Sequence, residues 1–369
     1  MPFSAADAIT PAFEHTKRQL LQPFRFGQWV RLALVGLLAG ELSGGGCNVR
    51  IPNFNPPRHP TGHFLVPGLA GIDPMVYGGL IAVLLISGLV IGIVFMYISS
   101  VMRFILFDSV LRKECRIRQG WSERQGPGWR LFLWKLLYTM VTFGALIVLV
   151  GIPAGFAYAL GWFSPPSQHV AALVLSGIAL FFVVAIVMIS LAVIYVLTKD
   201  FVVPQMALEG IGAFEGWGRL WAMIKAEKAG YAGYVGMKIL LSIGAAIIVG
   251  IVSLILFLIT LIPIAGVVIA AVLAAKSAGV GWTVYTITLA IVAGCGLLAV
   301  FLFLTALISV PAIVFFPAYS MYFFAARYPR LGAALYPAPP APVTPQISPQ
   351  TAPPPIEPPT LPPAPEPAG

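Results

Sequence analysis

The stretch KDFVVPQMALEGIGAFEGWGRLWAMIKAEKAGYAGYVGMK, residues 199–238, decides the fold of this chain. It carries five of the 22 Lys and Arg residues and four of the 13 Asp and Glu residues, between two long apolar runs that have almost no charge. Such a polar segment between apolar runs is typical of a loop that joins two membrane-spanning helices. The sequence therefore predicts a helical membrane protein.

The composition supports this interpretation. Hydrophobic residues make up 59% of the chain and charged residues 9%, against about 45–50% and 25% in ordinary soluble domains. The net charge of +9 comes from basic residues in short loops without a basic-aromatic recognition module. We therefore expect anionic lipid headgroups as counterions, and no nucleic acid.

Apolar runs outside the quoted stretch predict an all-α polytopic transmembrane bundle over residues 28–330. It has about six spans in three hairpin-like repeats, with amphipathic helices at the interface. The spans lie at residues 28–46, 76–99, 136–160, 170–197, 235–262 and 282–308. The first apolar run is short, and Glu41 is expected near its far end, where a carboxylate can reach water. Pro263 is expected to break or kink the fifth span.

The distribution of Lys and Arg residues predicts how the six spans are oriented in the membrane. With both termini on the cytoplasmic side, the inner segments hold nineteen Lys and Arg residues and the outer loops hold three. Without the first span the division becomes fifteen against seven. The positive-inside rule thus favours six spans with the N- and C-termini cytoplasmic.

The segments at the two ends carry their own signals. Residues 1–27 predict an amphipathic helix that begins with a Ser4–Asp7 capping box and gathers apolar residues on one side. That helix lies on the membrane surface or docks on the protein's own loops. Residues 336–369 are proline-rich and predict a disordered cytoplasmic tail. Residues 199–238 predict a second amphipathic helix at the interface. It pairs Glu215 with Arg219 on one side and presents five apolar residues on the opposite arc: Ile211, Phe214, Trp217, Trp221 and Ile224.

Three stretches of this sequence carry a resemblance to a known family. They are KDFVVPQMALEGIGAFEGWGRLWAMIKAEKAGYAGYVGMKILL (199–241), TPAFEHTKRQLLQPFRFGQWVRLAL (10–34) and RFILFDSVLRKECRIRQGWSERQGPGWRLFLWKL (103–136). The first resembles the inner loop of the membrane domain fused to some bacterial glycerophosphodiester phosphodiesterases. The other two resemble its stand-alone relatives of unknown function. The resemblance implies nothing catalytic, because the phosphodiesterase activity belongs to a separate barrel domain.

No catalytic or metal motif appears in the sequence, and we expect neither enzyme activity nor a cofactor. His59 and His63 are four residues apart, but Pro60 lies between them, so they do not predict a metal site. Cys47 follows three glycines and does not predict lipidation. The three cysteines, at 47, 115 and 295, are too scattered for a disulfide framework.

Two sets of residues are candidates for binding at the inner face. The first set, candidate contacts for anionic lipid, comprises Arg112, Lys113, Arg116 and Arg118. The second comprises Asp108 and Asp200, at corresponding points of two repeats. These acids either bind a cation or a lipid ammonium group, or else cap helices or pair with Arg103, Arg112 or Lys199.

Two function classes follow. The first is a non-enzymatic assembly, regulatory or lipid-organising factor, with membrane lipids as partners and, as further partners, membrane proteins or a second copy of the chain. The second is a transporter or channel for a small or lipidic solute. A transporter needs a polar pathway, for which the apolar runs offer scattered residues: Glu41, Ser253, Thr260, Thr286, Thr288 and Thr305.

Overall fold

The structure, a computed structural model, describes residues 4–41, 74–162, 169–277 and 284–336. Within these ranges the chain is helical and contains no strand, which confirms the all-α fold. A π-helical turn, Thr198–Val202, separates two of the α-helices. The helices are α1 (Ile9–Leu21), α2 (Phe26–Ala39), α3 (Pro74–Leu111), α4 (Ile117–Ala159), α5 (Val170–Leu197), α6 (Val203–Glu209), α7 (Ala213–Ala226), α8 (Lys228–Ser277), α9 (Val284–Ile308), α10 (Val310–Ala325) and α11 (Pro329–Leu335).

Among the described residues, five helical stretches are long and apolar enough to cross a membrane. They are Ile81–Leu111, Ile117–Ala159, Val170–Glu209, Lys228–Ile262 and Ile291–Ile308. In each, the most apolar window is only 0 to 11% buried by the rest of the protein. These surfaces face outward, as expected of helices solvated by lipid.

The packed core lies to one side of these apolar stretches. Its buried residues come from α1, α2, the C-terminal third of α3, the start of α4, the turn at 198–202 with α6, α7, the start of α8, the end of α9, α10 and α11. We call this part the basal module, comprising residues 4–41, 97–135, 198–241 and 306–335. The parts of the five long helices outside it are the apolar segments, residues 81–96, 136–159, 170–197, 242–262 and 291–305.

Helix α2, within the predicted first span, belongs to the basal module. It runs antiparallel to the last turns of α3: Gln28 donates to the carbonyl of Lys113 at 2.8 Å, and Ser99 donates to the carbonyl of Ala39 at 3.4 Å. It ends at Gly40, whose φ of +78° is the left-handed conformation that glycine adopts easily. The remainder of 28–46 beyond Glu41 lies outside the described residues, so the prediction that 28–46 spans the membrane stays a prediction.

Helix α8 continues past residue 263 to Ser277 as one helix of 50 residues. The expected break at Pro263 is therefore wrong, and the alternative that the helix kinks there stays a prediction. A proline removes one backbone hydrogen bond. A helix in a membrane tolerates that loss because its other backbone groups have no water to bond with and therefore keep their helical hydrogen bonds. Helix α6 follows α5, and α10 follows α9, with almost no gap.

The N-terminal helix has the predicted capping box and a different buried face. Ser4 N–H donates to Asp7 Oδ2 at 3.0 Å, and Asp7 N–H donates to Ser4 Oγ at 3.2 Å. Helix α1 then packs on α10 and buries His15, while Phe13 and Leu21 remain exposed. Helix α1 is therefore docked on the protein with Phe13 and Leu21 left exposed, and its position on the membrane surface stays a prediction.

Helix α7 agrees with the sequence. Phe214 and Trp221 are exposed, Trp217 is half-buried, and Arg219 pairs with Glu215 at 2.6 Å. By contrast, Cys47, His59, His63 and the proline-rich stretch after Tyr336 lie outside the described residues.

Candidate functional site: a buried charge cluster at the base of the apolar segments

The π-helical turn between α5 and α6 sends two adjacent charged side chains to different partners. Lys199 pairs with Glu41, and Asp200 pairs with Lys238 and accepts a hydrogen bond from the Tyr234 hydroxyl at 2.9 Å. A π turn widens the helix, and such turns recur at functional sites. Here the turn brings α2, α5 and α8 together through ion pairs.

Glu41 also binds Arg103 of α3. The Arg103 Nη1 to Glu41 Oε1 distance is 2.8 Å, and Nη2 donates to the carbonyl of Ala39 at 2.6 Å. Both side chains are 5% exposed. The expectation that Glu41 reaches water is wrong, because α2 folds back along α3 and carries its C-terminal end to Arg103.

We call Glu41, Arg103, Lys199, Asp200 and Lys238 the buried charge cluster. Each of its ions has a partner of opposite charge, as buried ions require. An aromatic wall closes one side. It contains Tyr234, which stacks on Tyr319 with ring centroids 5.3 Å apart, and Phe201, whose centroid lies 4.9 Å from that of Tyr234.

A sixth charged residue, Lys135 of α4, lies beside the cluster. Its Nζ donates to Ser99 Oγ at 3.3 Å. Lys135, Arg103 and Lys199 line one small cavity together with aromatic and apolar side chains of α4 and α5. We call this cavity and its mouth the Lys135 cleft, lined by Arg103, Leu131, Trp134, Lys135, Tyr138, Tyr195, Thr198, Lys199 and Val203.

The two acids singled out from the sequence are both paired, but with other partners than expected. Asp108 receives two hydrogen bonds from Arg124, at 2.6 and 2.8 Å, and Arg124 also donates to the carbonyl of Ala207 at 2.8 Å. Asp200 pairs with Lys238. The sequence had proposed Arg103, Arg112 or Lys199. Arg124 and Lys238 were missed because each comes from the start of the next long helix, which sequence spacing cannot align.

The basic loop forms a separate feature. Arg112, Lys113, Arg116 and Arg118 are all exposed, and Arg116 pairs with Glu114 at 3.0 Å. Arg116 and Arg118 line an open groove with Arg31 of α2. Along α4, Arg118 precedes Lys135 by seventeen residues, about 26 Å of helix. The loop therefore lies at the opposite end of the basal module from the apolar segments.

Ion pairs and a hydrogen bond also connect the residues between α10 and α11 to the rest of the basal module. Arg327 donates to both oxygens of Glu227, at 2.6 and 2.7 Å, and its guanidinium lies 4.0 Å from the ring centroid of Phe323. The hydrogen bonds from Arg327 hold the pKa of Glu227 below its usual value. Tyr328 donates to Glu209, which also pairs with Arg219 at 2.5 Å.

His15 occupies a buried position between α1, α3 and α10. Its Nε2 lies 2.9 Å from the carbonyl oxygen of Val110, and its Nδ1 lies 3.2 Å from the hydroxyl of Tyr322. A ring N–H that donates to the Val110 carbonyl fits the first contact. Burial lowers the pKa of His15, and the nearby positive charge of Lys113 lowers it further. The imidazole is therefore neutral at neutral pH.

Within the described ranges, no group of three or more His, Cys, Asp or Glu residues is arranged to hold a metal ion. The cluster instead joins acids to amines and guanidinium groups. Its chemistry is that of a structural ion-pair network with one cationic cleft beside it.

The helices and the cluster define a polytopic helical membrane protein with a charged, self-packed base. Residues 3–334 match a family of unknown function, DUF7544, and the chain belongs to that family. The match covers nearly all of the chain and carries no link to glycerophosphodiester phosphodiesterases. A search of curated proteins and a search of solved structures each gave no significant match.

Proposed function

We propose that this protein is a non-enzymatic integral membrane protein that organises lipid, or lipid-associated partners, at the inner face of the bacterial cytoplasmic membrane. The single observation that carries the proposal is the exposure of the apolar segments, of which at most 11% of the most apolar window is buried. Helices with so little contact to one another bury their surface against lipid chains instead.

The basal module supports an inner-face location. Exposed Phe214 and Trp221 on α7 suit an interface, where aromatic rings are enriched. The exposed basic loop at Arg112–Arg118 suits the cytoplasmic side by the positive-inside rule. With this placement both termini are cytoplasmic, and anionic lipids are the expected partners.

The resemblance of residues 199–241 to the membrane domain of glycerophosphodiester phosphodiesterases is consistent with this role. In those proteins the catalytic activity belongs to a separate barrel domain, so the shared membrane part is non-catalytic. The sequence of this chain likewise contains no catalytic motif that we recognise.

Spin-labelled lipids in reconstituted vesicles would test the proposal. Electron spin resonance counts the lipids that each protein restricts in motion. Separated apolar segments expose more helix surface than a closed bundle, so we expect a larger count than for a compact reference protein with the same number of spans. A count equal to or below the reference would contradict the proposal.

A transporter is the second candidate, and one observation favours it. The Ser253 hydroxyl in α8 is buried and has no hydrogen-bond partner, as in a site that awaits a polar ligand. Other polar groups of the predicted pathway are satisfied by their own helices, since Thr260 donates to the carbonyl of Leu256 at 2.9 Å and Thr305 to that of Phe301 at 2.9 Å. Solute flux through vesicles that contain the protein, abolished by Ser253→Ala, would favour this candidate.

A further inference from the structure

The Lys135 cleft holds more positive than negative charge. Lys135, Arg103 and Lys199 line it, and the carboxylate that binds the last two is Glu41. The neighbouring Asp200 is paired with its own cation, Lys238. Three cations therefore share one carboxylate, and the hydrogen bond that Lys135 donates goes to a neutral hydroxyl, that of Ser99.

A second observation is independent of this charge balance. The Arg103 side chain is 5% exposed, and its Nε is buried without a hydrogen-bond partner. The other two guanidinium nitrogens already donate, to Glu41 and to the carbonyl of Ala39. A buried N–H donor without an acceptor costs free energy, so it points to an acceptor that the protein itself does not supply.

The cleft lies where the exposed apolar surface of α4 begins. Leu131, which lines the cleft, is 1% exposed, whereas Leu133 and Leu137 on either side of Lys135 are nearly half exposed. Trp134 packs against Phe214 of α7, with ring centroids 4.9 Å apart. Cationic and aromatic side chains at the end of an apolar helix are typical of the level of lipid headgroups.

We propose that the Lys135 cleft binds the phosphate group of an anionic lipid headgroup. This inference rests on the proposed function and names the lipid chemistry and the residues that recognise it. Lys135 donates to a phosphate oxygen at the mouth of the cleft, beside Tyr195, which is 40% exposed. Lys199 and Arg103 contribute positive charge from the inner wall.

The size of the cleft limits how deep the ligand goes. Its enclosed volume is about 10 Å³, which is about the space for one water molecule. The phosphate itself therefore stays at the mouth, and the long Lys135 side chain reaches out to it. A phosphate oxygen, or the water that the phosphate orders, provides the acceptor that Arg103 Nε lacks.

The test measures lipid affinity by native mass spectrometry of the full chain in neutral detergent. The probes are dioleoyl phosphatidylglycerol, dioleoyl phosphatidylcholine and inorganic phosphate. Lys135→Gln removes the charge that makes the key contact, and Lys17→Gln on α1 is the matched control, because it removes one exposed charge that belongs neither to the cleft nor to the basic loop. Lys135→Arg keeps the charge and serves as the rescue.

We expect Lys135→Gln to weaken phosphatidylglycerol binding about tenfold, the usual effect of losing one charge-assisted hydrogen bond. Lys17→Gln should change it less than about twofold, because that charge lies outside the cleft and an exposed charge is screened by salt. Lys135→Arg should retain most of the affinity. Phosphatidylcholine should bind more weakly than phosphatidylglycerol to the unmodified protein.

Equal weakening by Lys135→Gln and Lys17→Gln would overturn the cleft as a lipid site and leave only general attraction to anionic lipid. Inorganic phosphate that binds as tightly as phosphatidylglycerol would overturn the lipid source and indicate a soluble phosphate compound. Neither outcome alters the number of motionally restricted lipids, on which the proposed function depends. The thermal midpoint of each variant shows whether it is folded.

Discussion

The basal module and the apolar segments bury their side chains in different ways, and helix α3 contains both. Leu85, in an apolar segment, is 69% exposed, whereas Leu106, about six turns further along, is 2% exposed. Around Leu106 the helix contacts α2, α4 and α10. The same helix thus begins as a surface for lipid and ends as part of a packed protein core.

This difference shows where the specificity of the fold lies. In a bilayer there is no hydrophobic driving force between apolar helices, because lipid chains are as apolar as leucine side chains. The basal module instead combines apolar burial with ion pairs that join sequence-distant helices, such as Glu41 with Arg103. We infer that the basal module fixes the arrangement of the helices and that the membrane solvates the rest.

The largest effect should come from breaking the buried charge cluster. Asp200→Asn leaves Lys238 buried without its counter-charge, and we expect a loss on the order of 3 to 5 kcal/mol in the free energy of unfolding. Denaturant unfolding in mixed micelles measures it. The double variant Asp200→Asn/Lys238→Met removes the uncompensated charge and should recover most of the loss. A single variant within about 1 kcal/mol of the unmodified protein would contradict the role of the pair.

The next effect compares the two regions on one helix with one chemical change. Leu106→Ala creates a cavity in the basal module and should cost about 2 to 5 kcal/mol. Leu85→Ala removes a side chain that lipid already surrounds, and we expect a cost below about 1 kcal/mol. Thermal and denaturant unfolding of both variants measure the difference. Equal costs would mean that Leu85 is packed against protein, and the distinction between the regions would fail.

A smaller effect should follow from adding a methyl group at close-packed and open glycines. A Cβ on Gly36 of α2 would lie 2.6 Å from Ile313 Cδ1 of α10, whereas one on Gly92 of α3 would meet no atom within 4 Å. We therefore expect Gly36→Ala to cost about 1 to 3 kcal/mol through overpacking.

The matched control for that substitution is Gly92→Ala, which should be neutral or stabilise by up to about 1 kcal/mol, since alanine favours helix. Pairing Gly36→Ala with Ile313→Val should recover part of the loss, because the smaller side chain leaves room. If Gly36→Ala were as harmless as Gly92→Ala, α2 and α10 would not be in the observed contact. Unfolding midpoints of Gly36→Ala, Gly92→Ala and the double variant Gly36→Ala/Ile313→Val decide between these outcomes.

The smallest effect should be a pH dependence of the free energy of unfolding that comes from His15 in the basal module. Burial and the Lys113 charge lower the pKa of His15 in the folded state, so the unfolded chain binds the proton more readily. The buried neutral His15 contributes fully to the free energy of unfolding above the pKa of about 6.5 in the unfolded chain, and this contribution is lost as pH falls below that value. Unfolding midpoints at pH 7.5 and 5.5 measure the change. His15→Gln, which cannot titrate there, should reduce the difference, and an unchanged difference would exclude His15 as its source.

Much of the fold was predictable from the sequence because it follows from local patterns. Apolar runs predict the long helices, the Ser4–Asp7 spacing predicts the cap, and the period of aromatic residues in 211–224 predicts α7. Each of these depends on residues that are close in the chain.

The candidate site was less predictable because it depends on how distant helix ends meet. Lys135 and Lys238 stood out only as charges at the edges of apolar runs, and nothing in the sequence pairs Glu41 with Arg103. A glutamate at the end of a short apolar run is more often near water. Only the antiparallel packing of α2 on α3 makes it a buried ion.

The most direct test of this account is to measure whether lipid, water or protein surrounds the apolar segments. On a background without the native cysteines, spin labels at Ile86→Cys and Ile247→Cys would probe two apolar segments in lipid nanodiscs, and Ser122→Cys would probe the exposed basal surface. The account predicts that the first two labels collide with oxygen but not with a water-soluble nickel chelate, and that the third collides with the chelate. Apolar-segment labels that are shielded from both reagents would contradict it, because protein rather than lipid would then cover these helices.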